Sequence, residues 1–203
     1  MRIAVLDDYQ DAFRHHPRFP ALAGHEVTTF ADSVRDPDAL AERLAPFDAL
    51  VMIQQRTALP GAVIARLPHL KFISQTGRNT YHLDLKACAK AGIDVSAAGA
   101  GDPSSTAELT WGLVLAALRH IPEEAGRLRA GQWQATLGTQ LKGKVLGVYG
   151  YGRIGRLVAG YGRAFGMRVL CLGREGSLER AKADGFEVPS GRGAFFSACD
   201  VIC

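Results

Sequence analysis

Residues 144–156 read Lys-Val-Leu-Gly-Val-Tyr-Gly-Tyr-Gly-Arg-Ile-Gly-Arg, and no other stretch of the chain limits its possible folds so sharply. The apolar run Val145–Tyr149 has the pattern of a buried parallel strand. It breaks into glycines at 150, 152 and 155, then continues as the helical spacing Leu157, Val158, Tyr161, Phe165. A strand, a glycine turn and a helix in that order make a site for a diphosphate. Gly150 permits the tight turn, Gly152 leaves the backbone open to a pyrophosphate, and Gly155 lets the helix pack closely on the strand. The N–H groups of Arg153 and Ile154 at the helix start can donate, and the helix dipole favours negative charge there. The competing reading is a glycine turn that serves packing alone.

The rest of the chain alternates in the same way. Strands are expected at Ile3–Leu6, His25–Phe30, Ala49–Ile53, Leu70–Ser74 and Ile93–Val95. Helices are expected at 37–44, capped by Asp36, at 60–67, and at 83–91, closed by Gly92. This predicts a small parallel α/β domain over residues 1–98. The composition changes at Gly99–Ser105, and a second domain is expected over 99–203. A helix at 107–118 is apolar nearly all round, which predicts burial between two bodies or in a subunit interface. Residues 127–141 read as a helix end and a loop. After the glycine turn come a strand at 167–172, a helix at 177–183, a short strand at 186–188 and the start of a fourth strand at 200–203. Only 53 residues follow Gly150, so the second domain reads as half of a doubly wound sheet, with its last strand exposed at an edge.

A hydrophobic content of 47% in 203 residues supports a real core. The net charge of +4 is spread along the chain, which suits a phosphate-bearing small molecule better than a nucleic acid. Four cysteines without a Cys-x-x-Cys pair or ligand-spaced His argue against a metal site and fit a reducing cytoplasm. Neither a secretory signal nor an apolar run of membrane-spanning length is seen.

Two separated segments resemble one family. Leu70-Lys71-Phe72-Ile73-Ser74-Gln75-Thr76-Gly77-Arg78-Asn79 through Asp84, with Gly92-Ile93-Asp94-Val95 and Ala107-Glu108, is similar to the first domain of the D-isomer-specific 2-hydroxyacid dehydrogenases. Leu141–Gly155 and Phe165–Val169 are similar to that family's cofactor domain. The resemblance implies a flavodoxin-like parallel-sheet domain followed by a Rossmann domain. It implies hydride transfer between NAD or NADP and a small 2-keto or 2-hydroxy acid, and a homodimer through helix 107–118. Thr76, Gly77 and Arg78 would offer backbone N–H groups to the substrate carboxylate at a domain cleft, with Arg78 within reach of the cofactor; the alternative is ordinary turn chemistry. Met52, Gln55 and Arg56 are candidates for lining that cleft, against an ordinary loop.

The family's substrate-orienting Arg, its Glu and its proton-donating His have no match among these residues. None of His15, His16, His25, His69, His82 and His120 is recommended by a motif. The expectation is therefore a catalytically inactive fragment with an incomplete Rossmann domain and no catalytic residue of its own. The alternative is a non-catalytic nucleotide-binding or oligomerising fragment. A methyltransferase loop would want an acid at the end of the second strand, where Gly173 stands. That same Gly173, followed by Arg174, favours NADP over NAD: no carboxylate opposes a 2′-phosphate, and Arg174 can pair with it. Glu175 leaves open an NAD site with Arg174 facing solvent.

Overall fold

The computed structural model of the protein describes residues 1–99 and 101–203. The chain divides into two compact units, Met1–Gly101 and Asp102–Cys203.

In the first unit five strands, β1 (Arg2–Leu6), β2 (Glu26–Thr29), β3 (Ala49–Ile53), β4 (Phe72–Thr76) and β5 (Asp94–Ala98), form a sheet in the order β2-β1-β3-β4-β5. Every pairing is parallel; Ile3 lies opposite Ala49 and Ala49 opposite Phe72. The order reverses between β1 and β3, the place where open parallel sheets bind ligands at their C-terminal edge. Three helices, α1 (Pro37–Leu44), α2 (Gly61–Ile64) and α3 (Leu85–Lys90), cover the sheet. As the Asp36-Pro37 pair predicts, Asp36 caps α1 by accepting from the Ala39 N–H at 2.9 Å, and Asp84 does the same for α3 through Ala87. α2 is shorter than expected because its last residues tighten to three-residue bonds, Arg66 to Val63 and Leu67 to Ile64. Leu44, Leu50, Leu59, Val63 and Ile73 are fully enclosed between sheet and helices.

The second unit opens with two helices, α4 (Ser104–Leu118) and α5 (Ile121–Arg129). It continues with β6 (Val145–Tyr149), α6 (Arg153–Ala164), β7 (Arg168–Leu172), α7 (Glu175–Ala183), α8 (Arg192–Ala198) and β8 (Val201–Ile202). Its sheet runs β7-β6-β8, again parallel, so the glycine-turn strand is central. The strand expected at 186–188 is reduced to one parallel bridge, Glu187 to Leu170. Phe186 turns inward against the Tyr151 ring, Glu187 is held by Arg168 in a two-pronged ion pair at 2.6 Å, and Pro189 has no N–H to extend a ladder. α8 falls where no element was expected, and α5 ends at Arg129, inside the stretch read as a helix end and a loop.

α4 is not covered all round. Ala107, Trp111 and Val114 are buried, and the Trp111 ring lies 5.0 Å from Phe165 and 6.2 Å from Tyr161 of α6. Leu109 and Leu113, on the other side, are 65% and 62% exposed. Among the described residues no helix is long and apolar enough to cross a membrane.

Candidate functional site

The turn after β6 is built from its three glycines. Gly150 has φ 109°, a conformation that L side chains rarely adopt, and its carbonyl accepts from the Gly152 N–H at 2.9 Å. At Gly155 a Cβ would lie 2.1 Å from the Gly150 carbonyl oxygen, so only glycine lets α6 start this close to the turn. A Cβ on Gly152 would meet no protein atom within 4 Å, and the turn is therefore open to solvent on that side. α6 begins at Arg153, and the N–H groups of its first turn have no carbonyl one turn earlier in the helix to bond. The residue between the first two glycines, Tyr151, does not face the opening. It is buried against Phe186, and its hydroxyl donates to Asp184 Oδ2 at 2.6 Å, which also receives Arg156 Nε at 3.0 Å. Burial and the Asp184 carboxylate push the Tyr151 phenol well above its usual pKa, so it stays neutral and anchors the turn to the end of α7.

A cavity of about 760 Å³ opens over this turn, lined by Gly150, Gly152, Leu172, Gly173, Ser177 and three arginines. Arg174 ends the β7 loop, Arg180 projects from α7 and Arg192 from the start of α8, and among the described residues no carboxylate lines the space. No ion pair or side-chain hydrogen bond engages any of the three guanidinium groups among the described residues; Arg192 lies 6.0 Å from the Tyr149 ring centre. Where an acid would stand at residue 173, the Ser177 hydroxyl takes the space: a Cβ there would come within 2.6 Å of it. Sequence reasoning found Arg174 and missed Arg180 and Arg192, which are 6 and 18 positions further on in helices the glycine motif does not specify. The cavity is large enough for half a dinucleotide, and donors without partners and backbone space fit a group carrying several phosphates.

The other predicted residues lie at the C-terminal edge of the first unit's sheet. Thr76 ends β4, and its hydroxyl accepts from the Gln54 N–H at 2.9 Å. The Gly77 N–H, expected to be offered to a ligand, is already bonded to the Ala98 carbonyl at 2.8 Å, because β5 continues beside the turn. Among the described residues no hydrogen bond engages the N–H groups of Arg78 and Asn79 next in the chain, and both residues are exposed. Of the cleft candidates, Met52 is buried in the core at 1% exposure. Arg56 turns inward: its Nη1 donates to the Asp7 carbonyl at 2.6 Å and its guanidinium covers the Tyr9 ring. Gln55 remains beside the turn, with Nε2 3.9 Å from where a Cβ on Gly77 would stand.

Among the described residues no group of His, Cys, Asp and Glu could hold a metal ion. All four cysteines are free thiols, and burial pushes Cys171 up to about 11. His82 is the one buried histidine; its burial holds its pKa below the ordinary imidazole value.

Residues 111–203 match the family described as D-isomer specific 2-hydroxyacid dehydrogenase, NAD binding domain. Among curated proteins, D-3-phosphoglycerate dehydrogenase of Methanocaldococcus jannaschii is 38% identical over 135 residues, covering 66% of this chain and 26% of that protein. Glyoxylate reductase of Aeropyrum pernix is 34% identical over 137 residues, covering 63% of this chain and 41% of that protein. The crystal structure of phosphoglycerate oxidoreductase from Vibrio cholerae superposes over all of this chain and 65% of that one, with a TM-score of 0.94 and 44% identity. The chain thus spans less than two thirds of each of these relatives.

Proposed function

Because this chain belongs to the D-isomer-specific 2-hydroxyacid dehydrogenase family, whose NAD-binding domain it carries over residues 111–203, we propose that it serves an oxidoreductase acting on a small 2-keto or 2-hydroxy acid. The observation that carries this reading is the open glycine turn over a cavity lined with unpaired arginines. When bound, a nicotinamide dinucleotide supplies the hydride. The first-turn N–H groups of α6, including Ile154, hold its diphosphate, and Gly150, Gly152 and Gly155 keep the backbone clear for it. Residues 1–98 serve the substrate: the turn Thr76-Gly77-Arg78 presents the Arg78 and Asn79 N–H groups to the acid's carboxylate, with Thr76 and Gly77 shaping the turn.

The cofactor of this reading is NADP in preference to NAD. Three positive charges and no negative one line the cavity, so the two charges of a 2′-phosphate are attracted and the bare ribose hydroxyls lack the carboxylate they usually bond. Fluorescence titration of the chain with NADPH and NADH tests this. NADPH should bind more tightly, and Arg174→Ala should weaken NADPH by about tenfold or more, the loss of one charged hydrogen bond, while leaving NADH nearly unchanged. Tighter NADH binding, insensitive to Arg174→Ala, would reverse the assignment in favour of the NAD reading.

Residues 1–203 contain no match for the family's proton donor, so by themselves they are proposed to bind dinucleotide without turning over a keto acid; general acid catalysis contributes ~10²–10⁴-fold and its loss is not made good by binding alone. Turnover of glyoxylate by the purified chain near the rates of intact dehydrogenases would refute that. The exposed Leu109 and Leu113 on α4 favour a homodimer through helix 107–118, and free thiols suit a reducing cytoplasm.

A further inference from the structure

Three adjacent parallel strands of the first unit leave the sheet through left-handed residues: Asp7 after β1 (φ 59°), Gln54 after β3 (φ 56°) and Gly77 after β4 (φ 100°). For Gln54, which has a Cβ, this conformation is disfavoured and persists only because its surroundings hold it. The Gln54 N–H donates to Thr76 Oγ1, and the Gln54 carbonyl accepts from Gln75 Nε2 at 2.8 Å. The same Nε2 donates to the Thr76 carbonyl at 2.8 Å, so one buried amide ties together the ends of β3 and β4.

The chemistry of this amide fixes the state of the imidazole behind it. Turned the other way, Gln75 would press its oxygen against two carbonyl oxygens, so Oε1 must face His82 Nε2, 3.0 Å away. Oε1 has no proton to give, and His82 must therefore carry its proton on Nε2. Nδ1 is then a bare lone pair, buried and without a partner among the described residues. The His82 main chain is held by the Leu59 N–H donating to its carbonyl at 2.8 Å, and the Tyr81 ring packs edge-on to the imidazole at 5.8 Å.

We propose that His82 is a positioning residue which, through Gln75, fixes the left-handed exits at Gln54 and Gly77 and so aims the Arg78 and Asn79 N–H groups at the carboxylate of a 2-keto acid. This rests on the reading of that turn as the carboxylate site. An apolar pair of similar volume would fill the same space without desolvating two polar groups. What the imidazole–amide pair adds is direction, because its bonds are satisfied in one orientation only.

The test is a nuclear magnetic resonance titration of the isotope-labelled 203-residue chain with oxamate, an unreactive 2-keto acid analogue. The Arg78 and Asn79 amide signals should shift saturably. His82→Leu should weaken oxamate by about tenfold or more, the equivalent of one lost hydrogen bond. His82→Gln, whose Nε2 can still donate to Gln75, should stay within about threefold of the parent. The imidazole nitrogen shifts should report the Nε2–H tautomer at pH 7. The proposal is overturned if His82→Leu binds oxamate like the parent, if His82→Gln is as weak as His82→Leu, or if the proton sits on Nδ1. Should oxamate move neither amide in the parent chain, the carboxylate reading falls by itself. The latch is then decided by hydrogen exchange at the Gly77 amide, which His82→Leu must accelerate and His82→Gln must not.

Discussion

A methyl group added to Gly155 would meet the Gly150 carbonyl oxygen at 2.1 Å and Val148 Cγ1 at 3.1 Å. The first of these is backbone, so no rotamer relieves it, and the helix would have to lift off the strand. The same methyl on Gly152 would meet no protein atom within 4 Å. These two glycines of one motif therefore fail differently. Gly155→Ala should destabilise the second unit by about 1–3 kcal/mol, the usual cost of overpacking, and reduce NADPH binding with it. Gly152→Ala should leave the thermal midpoint unchanged and still weaken NADPH, because its methyl stands where the diphosphate approaches. Circular dichroism melts beside cofactor titrations separate the two; equal melting losses for both would contradict the assignment of the open side to the ligand. The glycine spacing was legible because Gly150 and Gly155 answer local demands, a left-handed φ and a close backbone approach. The His82–Gln75 pair was not, since neither residue type carries a motif and their meaning depends on the carbonyls of Gln54 and Thr76, which lie at the ends of two different strands. The partner of the Gly77 N–H was not legible for a related reason: which of its neighbours takes that N–H is settled by β5.

Elements with strong periodicity or clear caps appear where the sequence puts them, within a residue or two: β1, β3, α1, β6, α6 and β7. α8 was missed because Gly191-Arg192-Gly193-Ala194 has poor helical propensity. It forms because Phe195, fully buried, packs with Leu170, Leu172 and Val145 on the sheet. That tertiary gain overrides the local preference, and it brings Arg192 to the cavity. α4 stops before His120, whose φ of 53° no glycine announces, and Pro122 in the first turn of α5 lets a second helix begin at once. α4 itself shows how an all-round apolar pattern divides. Trp111 anchors one side to α6, and Leu109 and Leu113 remain exposed on the other, with Ile121, Leu128, Trp133 and Leu137 also uncovered on neighbouring segments. Apolar exposure of this extent calls for a partner surface, and the proposed partner is a second copy. Leu109→Glu combined with Leu113→Lys should convert a dimer to a monomer in sedimentation and leave the melting of α4 on α6 intact, since neither side chain touches Trp111's side of the helix. A parent chain that sediments as a monomer at micromolar concentration would end the proposal.

Each unit carries its own apolar core. Leu44, Leu50, Leu59 and Ile73 belong to the first, and Trp111, Leu146, Val158 and Phe186 to the second. A chain with two cores is expected to unfold in two steps wherever the link between them is weak, and ligand linkage gives a way to tell the steps apart. A dinucleotide that binds the folded second unit alone stabilises that unit by RT ln(1 + [L]/Kd), about 2.7 kcal/mol at a hundredfold excess over Kd. For a unit of this size each kcal/mol moves the midpoint by roughly 4–8 °C, so saturating NADPH should raise one calorimetric transition by roughly 10–20 °C. The other transition should stay in place. Conversely, Leu50→Ala, which empties space at a fully buried position of the first unit, should cost roughly 2–5 kcal/mol in the transition that ignores NADPH and leave the responsive one unmoved. Calorimetry on the parent and on Leu50→Ala, each with and without NADPH, provides all four combinations. If both perturbations act on a single shared transition, the two units fold as one cooperative body. The substrate turn and the cofactor turn would then have to be treated as thermodynamically linked.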